Sequence, residues 1–557
     1  MTVADTQEMV FAPLGGVGEI GMNLGLYGFG PRRARRWLMV DLGMSFAGEE
    51  APGVDLVLPD IRFLEAEKKN IEGLLLTHGH EDHVGAVLDL WPRLKVPVYT
   101  TRFTAGLLEA KRWAEPGAPN IPITVVRAGE RLKIGPFEVE FIPVAHSIPD
   151  SHAIAIRTEA GLVLHTGDWK LDPNPVVGAV TDSARLKALG DEGVRAIICD
   201  STNAIRDGVS PSEADVGATL KEIVAKAKHR VCFTTFSSNV ARIRSIAEAA
   251  MAADRDVVVV GRAMDRVIGV AREQGMLDGI PPFRTVEAYG YLPRDKVVAL
   301  LTGSQGEPRA ALSRIAGDDH PEIALSAGDL VVFSSRTIPG NERVVNKVIN
   351  GLVKRGVRVM TDRDGLVHVS GHPRRGELEQ MYGWVRPQVS IPVHGEPMHL
   401  AEHAALAKRL GVKEVVLCSD GHVVRLAPGP AERVDDIPFG RLYKDGKVLV
   451  SDAARTIPER RKLGYVGIVS VALAMDSKGA VMGDPSVELT GIPERGEGGV
   501  DMLDHVFDTV VATLDNLPRA RRRDPDSLSE SIERAVRSAV NVAWGKKPVC
   551  HVHIVEV

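Results

Sequence analysis

Four side chains able to bind a metal ion fall within six residues in Thr77-His78-Gly79-His80-Glu81-Asp82-His83, directly after the apolar run Gly73–Leu76. In an extended turn alternate side chains project to one side, so His78 and His80 share a face. Asp82 and His83, rotated by the start of a helix, face a second point a few ångströms away. That arrangement suits two adjacent ions. Imidazole and carboxylate without thiolate favour zinc, with manganese as the leading substitute. A lone histidine is usually structural or merely exposed, and a structural zinc usually fills with cysteine and keeps no open position. Four such ligands at this spacing point to an open, catalytic centre.

The elements that must hold these groups are short apolar strands ending in polar turns. Val139–Pro143 precedes His146, Leu162–Leu164 precedes Asp168, Arg195–Cys199 precedes Asp200 and Val389–Val393 precedes His394. Brief β-rich runs bounded by Gly, Pro and Asp read as buried strands. Reactive groups at the ends of a rigid sheet are the usual way to build a site in a layered α/β protein. After Asp200 the texture changes to longer alternation of helix and strand. Ser210-Pro211-Ser212-Glu213 reads as a helix start with Ser210 as N-cap. The strand Val231–Phe236, a helix from Val240 and the strand Val257–Val260 make a βαβ unit. This texture runs to about Thr361 and predicts an inserted domain. The first style resumes from His368 to about Asp420. The polar run Thr456–Lys462 reads as a linker to a final α/β stretch.

Bulk properties bound the answer. With 557 residues the chain is expected to hold about three domains. Hydrophobic residues at 44 % and charged residues at 25 % give the balance of a soluble globular protein. The cysteines Cys199, Cys232, Cys418 and Cys550 lie far apart, which argues against a disulfide framework and suits a reducing cytosol. The start MTVADTQEMV carries no signal-peptide pattern, and no apolar run is long enough to span a bilayer. The expected location is the cytoplasm. A net charge of −5 lends no support to nucleic-acid binding. The basic clusters Arg32 to Arg36 and Arg519 to Arg523 read as solvated surface. Gly15–Gly21 lacks the strand-before, helix-after context of a nucleotide loop and reads as a turn within a sheet.

HxHxDH resembles the signature of the metallo-β-lactamase superfamily. His146, Asp168 and His394 follow in that family's order. The resemblance implies that His78, His80 and His146 hold one ion, that Asp82, His83 and His394 hold the other, and that Asp168 is shared. The 226 positions between Asp168 and His394 resemble the long insertion of the nucleic-acid-processing β-CASP branch, which adds an acid and a histidine, matched here by Asp200 and His372. HGHEDHVGA, DSTNA (Asp200–Ala204), GSQGEP (Gly303–Pro308), IPGNE (Ile338–Glu342), HVSGH (His368–His372) and IPVHGE (Ile391–Glu396) together resemble the ribonuclease J family. The fold then expected is a metallo-β-lactamase αββα sandwich with an inserted α/β β-CASP domain and a small C-terminal α/β domain. Its parts would be 1–208, the insert 209–365, the return segment 366–455, and 456–557.

What the resemblance implies is a two-zinc ribonuclease, with Mn2+ or Mg2+ possible in activity. It would degrade single-stranded RNA from a 5′-monophosphate end, cut internally as well, and serve RNA maturation and decay. In such centres two cations deprotonate a water and neutralise phosphate charge. His368, Val369, Ser370, Gly371 and His372 would bind substrate. The Ser370 hydroxyl, the close approach allowed at Gly371 and exposed backbone N–H groups suit a phosphate, to which His368 would add a charge-assisted hydrogen bond. His372, with Asp200 accepting its other N–H, is the candidate general acid; Asp82 joins them at the catalytic centre. A homodimer or higher homo-oligomer, a helicase or degradation-complex partner and no membrane complete the expectation. Ser237–Asn239 and Ser334–Arg336 read as turn formers with a second reading as RNA-backbone contacts. The rivals are a DNA-end nuclease of the same branch, a non-catalytic RNA-processing scaffold and a small-molecule hydrolase.

Overall fold

The computed structural model describes residues 7–338 and 340–557; Pro339 of the IPGNE run and the side chain of Arg519 lie outside the described residues. The chain divides into two compact units, one of Ser45 and the residues before it with Val57–Arg441, the other of Phe46–Leu56 with Leu442–Val557.

In the first unit two sheets stack face to face. An eight-stranded sheet runs Glu432–Asp436, His422–Ala427, Glu8–Gly15, Leu24–Gly30, Arg36–Val40, Ile71–Leu75, Val98–Thr100, Ile123–Val125. A seven-stranded sheet runs Glu414–Val415, Val389–Val393, Val194–Asp200, Gly161–His165, His152–Thr158, Phe137–Pro143, Arg131–Ile134. Phe11, Tyr27, Leu38 and Val40 from the first pack on Val139, Phe141, Ile156 and Ile198 from the second. The seven-stranded sheet is buried on its other face too. Ile197 and Cys199 alternate with Ala196 and Ile198 and meet Leu186, Leu189, Met381 and Leu406 from covering helices. This two-sided burial explains why these strands read as continuous apolar runs. All four cysteines are buried and unbonded.

The insert has its own all-parallel sheet, ordered Asp256–Val260, Val297–Leu301, Val231–Thr234, Leu330–Phe333, Arg358–Met360. The helix expected from Ser210 begins instead at Glu213. Ser212 is the N-cap, accepting from Ala214 N at 3.2 Å, and Asp215 reaches back to Ser212 N at 3.0 Å. The Glu213 carboxylate that a capping box at Ser210 would use is engaged by Arg242 at 2.9 Å, and Ser210 N donates instead to Glu377 Oε2 at 2.9 Å. Gly303–Gly306 of the GSQGEP run are buried and Glu307 and Pro308 exposed, with Gln305 donating to Arg336 O at 2.9 Å and accepting from Ile338 N at 2.8 Å.

In the second unit the strands Ser486–Thr490, Ile468–Met475 and Val549–Glu556 form a sheet whose core is shared with the helices Met502–Asn516 and Pro525–Trp544. The supposed linker is a correction: Thr456–Val466 is a helix. Pro458 sits in its first turn, where no intrahelical N–H is lost, and Ile457 is buried with Ala51 and Val54. The Arg32–Arg36 cluster is also less solvated than its composition suggests, because Arg35 is buried on Glu8 at 2.7 Å and Arg36 pairs with Glu72 at 2.6 Å. No helix among the described residues is long and apolar enough to cross a membrane.

Candidate metal centre

The strand Ile71–Leu75 delivers Thr77–His80 as an extended turn, and His80 becomes the N-cap of the short helix Glu81–Val84. His78 Nε2 and His146 Nε2 each lie 3.1 Å from His80 Nδ1. Ligands about 2.0–2.1 Å from a tetrahedral ion stand roughly 3.3 Å apart, so the spacing fits. Burial holds the His80 ring down to about 4 and His78 and His146 well below their ordinary range, leaving neutral donors.

Asp82, His83, Asp168 and His394 converge in a second group. Asp168 Oδ2 is 3.2 Å from His83 Nε2, 3.5 Å from His394 Nε2, 3.7 Å from His146 Nε2 and 3.8 Å from His78 Nε2. One carboxylate thus touches both groups. The residues fit cations on two further observations. Asp168 Oδ1 and His394 Nε2 are buried with no hydrogen-bond partner. Although burial opposes charge on His83, Asp168, Asp82 and Asp41 raise it well above its ordinary range, the mark of an anionic centre.

Four of the rings, His78, His83, His146 and His394, are held from behind at Nδ1, which turns Nε2 toward the centre. Asp41 Oδ2 accepts from His83 Nδ1 at 2.7 Å, and Asn23 Oδ1 accepts from His394 Nδ1 at 2.8 Å. Thr77 Oγ1 donates to Asp41 Oδ2 at 2.9 Å and stands 3.0 Å from His78 Nδ1. A single buried carboxylate therefore orients His83 directly and His78 through Thr77. His146 Nδ1 donates to Gly371 O at 2.6 Å. A side chain at 371 would meet His146 at 2.6 Å, so glycine is required there. Asp41 and His394 both hold left-handed backbone, at φ 63° and 52°, a strain that surrounding contacts must maintain. The loop Gly15–Gly21 supplies one such contact, with His394 N donating to Gly16 O at 2.7 Å.

The structure brings the HVSGH loop against this centre. His372 Nδ1 lies 2.7 Å from Asp200 Oδ2 and 3.8 Å from Asp168 Oδ2. Burial opposes its charge, yet Asp200 and Asp168 carry the His372 ring up to about 9, which favours the protonated form. Asn203 Nδ2 donates to Ser370 Oγ at 2.8 Å and to His372 O at 3.1 Å. The Val369 side chain packs in the core of the insert, so only its backbone can face a ligand. His368 corrects the expectation of a charged donor: burial, with Arg242, Arg336 and Lys170 nearby, holds its ring well below the ordinary range. Its Nδ1 is buried without a partner. Ser334 and Asn239 are buried structural residues, as turn formers would be.

Asn23, Asp41, Thr77 and Asn203 were not among the expected site residues. Asp41 did carry a signal, since it ends the apolar run Trp37–Val40 in the same style as Asp168 and Asp200. Asn23 carried none.

Comparison with known proteins identifies the arrangement. Residues 32–261 match the metallo-beta-lactamase superfamily, 228–352 the ribonuclease J beta-CASP domain, 356–418 the Zn-dependent metallo-hydrolase RNA specificity domain and 455–557 the ribonuclease J C-terminal domain. The chain is 54 % identical over 555 residues to a ribonuclease J of Sinorhizobium meliloti, covering 100 % of this chain and 98 % of that protein. The chain belongs to the ribonuclease J family. Family members from Corynebacterium glutamicum and Mycolicibacterium smegmatis are 40 % and 39 % identical, covering 96 % and 98 % of this chain and 74 % and 96 % of their own length. The fold is that family's mixed α/β metallo-β-lactamase domain with β-CASP and C-terminal domains. A crystal structure of a protein of unknown function from Enterococcus faecalis V583 shares the fold, with a TM-score of 0.53 and 17 % identity over 75 % of this chain and 100 % of its own.

Proposed function

We propose that this protein is a metal-dependent ribonuclease of the cytoplasm that removes nucleotides 5′ to 3′ from RNA ends bearing a monophosphate and also cuts internally, in RNA maturation and decay. The observation that carries this reading is the contact of the HVSGH loop with the metal centre, the Gly371 carbonyl lying 2.6 Å from His146 Nδ1. A terminal phosphate held by that loop would present the adjoining phosphodiester to the centre.

His78, His80 and His146 would hold one ion, Asp82, His83 and His394 the other, with Asp168 common to both; the donor set favours zinc, with Mn2+ or Mg2+ as alternatives. When bound, two such cations supply an acidified water and positive charge for the phosphate in the transition state. The chain's own residues do the rest. Ser370 and the backbone around Gly371 bind the terminal phosphate. His372 donates a proton to the departing 3′ oxygen, while Asp200 accepts the Nδ1–H and keeps the ring charged and aimed. Contacts to phosphate carry little base information, so cleavage is expected to be indifferent to sequence.

One observation favours a second reading of two of these residues. Asp168, Asp200, His372 and His394 also bring ligand atoms within 4.8 Å of one another, a geometry in which Asp200 and His372 would hold an ion instead of moving a proton.

Single-stranded RNA and DNA of one sequence, each with a 5′-monophosphate, test the substrate class. RNA is expected to be degraded and DNA spared, with cleavage abolished by a chelator and restored by Zn2+ or Mn2+. Equal cleavage of DNA would favour a DNA-end nuclease. Chelator-resistant cleavage would remove the metal reading.

A further inference from the structure

The loop that contacts the centre is held at its other end by a buried ion pair. Arg242 is 0 % exposed and Glu213 1 %. Arg242 Nη2 lies 2.9 and 3.1 Å from the two Glu213 oxygens, and Nε lies 3.2 Å from Oε2. The remaining terminal nitrogen, Nη1, donates to Ser334 Oγ at 2.7 Å, Ser334 O at 3.0 Å and Val367 O at 2.9 Å. Ser334 Oγ in turn donates to Val367 O at 2.6 Å. Both lone pairs of the Val367 carbonyl are thereby occupied, and Val367 is the residue immediately before His368.

Glu213 is fixed as firmly as its partner. Its backbone N–H donates to Asp172 Oδ2 at 2.9 Å, and Asp172 pairs with the buried Lys170 at 2.8 Å. Lys170, Asp172, Glu213 and Arg242 form a line of buried charges from just beyond Asp168 to the start of the HVSGH loop. Stability alone does not require such a line, since an apolar set of similar volume usually serves as well or better. What a guanidinium adds is a planar fork with five fixed donors, which no apolar side chain and no ammonium reproduces.

We propose that Arg242, clamped by Glu213, is a positioning residue that sets the backbone of the His368–His372 loop and thereby the preference for 5′-phosphorylated RNA ends. This rests on the reading of that loop as the phosphate pocket. The far end of the loop is tied by Asn203, through Ser370 Oγ and His372 O, and by His146, through Gly371 O. A slackened Val367 would therefore let the backbone of His368 and Val369 shift and re-aim the N–H groups of the loop while the metal centre stays assembled.

The test uses the full-length protein, with RNA of one sequence carrying a 5′-monophosphate or a 5′-hydroxyl. Arg242→Lys keeps the charge and loses the fork. Ser334→Ala keeps the ion pair and removes one of the two donors to Val367 O. Arg242→Lys is expected to lower the monophosphate-to-hydroxyl ratio of kcat/KM about tenfold, carried mainly by KM, the size expected when one well-placed phosphate contact is lost. Inhibition by adenosine 5′-monophosphate should weaken by a similar factor. Ser334→Ala should move both in the same direction by less. Thermal melts and metal content establish that each variant is folded and loaded, and if Arg242→Lys does not fold, Ser334→Ala decides. Folded, metal-loaded variants with the unaltered ratio overturn the role of Arg242. A parent protein that treats the two ends alike overturns the phosphate-pocket reading itself, and this proposal with it.

Discussion

Asp168→Ala is expected to release bound metal and to reduce RNA cleavage to the level of the metal-free protein. Asp168 Oδ2 lies within 3.8 Å of nitrogens from His78, His83, His146, His372 and His394, which places it between both groups. Burial opposes its charge, yet His394, His83 and His372 hold the carboxyl well below its usual range, which favours the anion. Removing a residue that merely orients a ligand costs about 10–100-fold in metal affinity or activity. Removing the one carboxylate common to both groups should cost more, a loss beyond roughly 10³-fold in cleavage. Metal stoichiometry after gel filtration, measured with cleavage on the same sample, checks it. A variant that keeps two ions and a tenth of the rate would contradict the shared-ligand assignment.

His372→Ala carries the second large effect. General acid catalysis contributes about 10²–10⁴-fold, and a loss in that range is expected with metal content unaltered. The two readings of His372 separate on that second quantity. A proton donor can be removed and leave both ions in place; a ligand cannot. Asp200→Asn should lower the rate in the same sense, because Asp200 Oδ2, 2.7 Å from His372 Nδ1, is what keeps the ring charged. Loss of an ion in His372→Ala would transfer Asp200 and His372 to the metal set, and full cleavage with full metal would remove both roles.

The parts of this site that were legible are the parts written locally. Thr77–His83 places four ligand types within six residues at the end of a strand, and backbone geometry alone divides them between two points. His146, Asp168 and His394 were legible for a related reason, each ending an apolar run. The residues that aim them were not, because their partners are remote in sequence: Asn23 serves His394 from 371 positions away, and Gly371 serves His146 from 225. Glu213 shows how local reasoning goes astray. Its spacing from Ser210 reads as a capping box, but a buried guanidinium holds the carboxylate, a remote one from Glu377 accepts from Ser210 N, and the helix starts two residues later. Thr456–Lys462 misreads for the opposite reason, since a run of charged residues hides the helix whose buried positions are Ile457 and Val466. The company that Phe46–Leu56 keeps with the C-terminal unit leaves no trace in composition at all.

The most direct test of the account is degradation of a 3′-labelled single-stranded RNA bearing either a 5′-monophosphate or a 5′-triphosphate by the purified, metal-loaded protein. The account predicts rapid loss of the monophosphate form and slow loss of the triphosphate form, because a loop tied down at Val367, Asn203 and His146 has a fixed size. Equal internal cleavage of both would keep a metal-dependent nuclease and contradict the end-phosphate pocket at His368–His372; no cleavage of either, with metal bound, would contradict the enzyme itself.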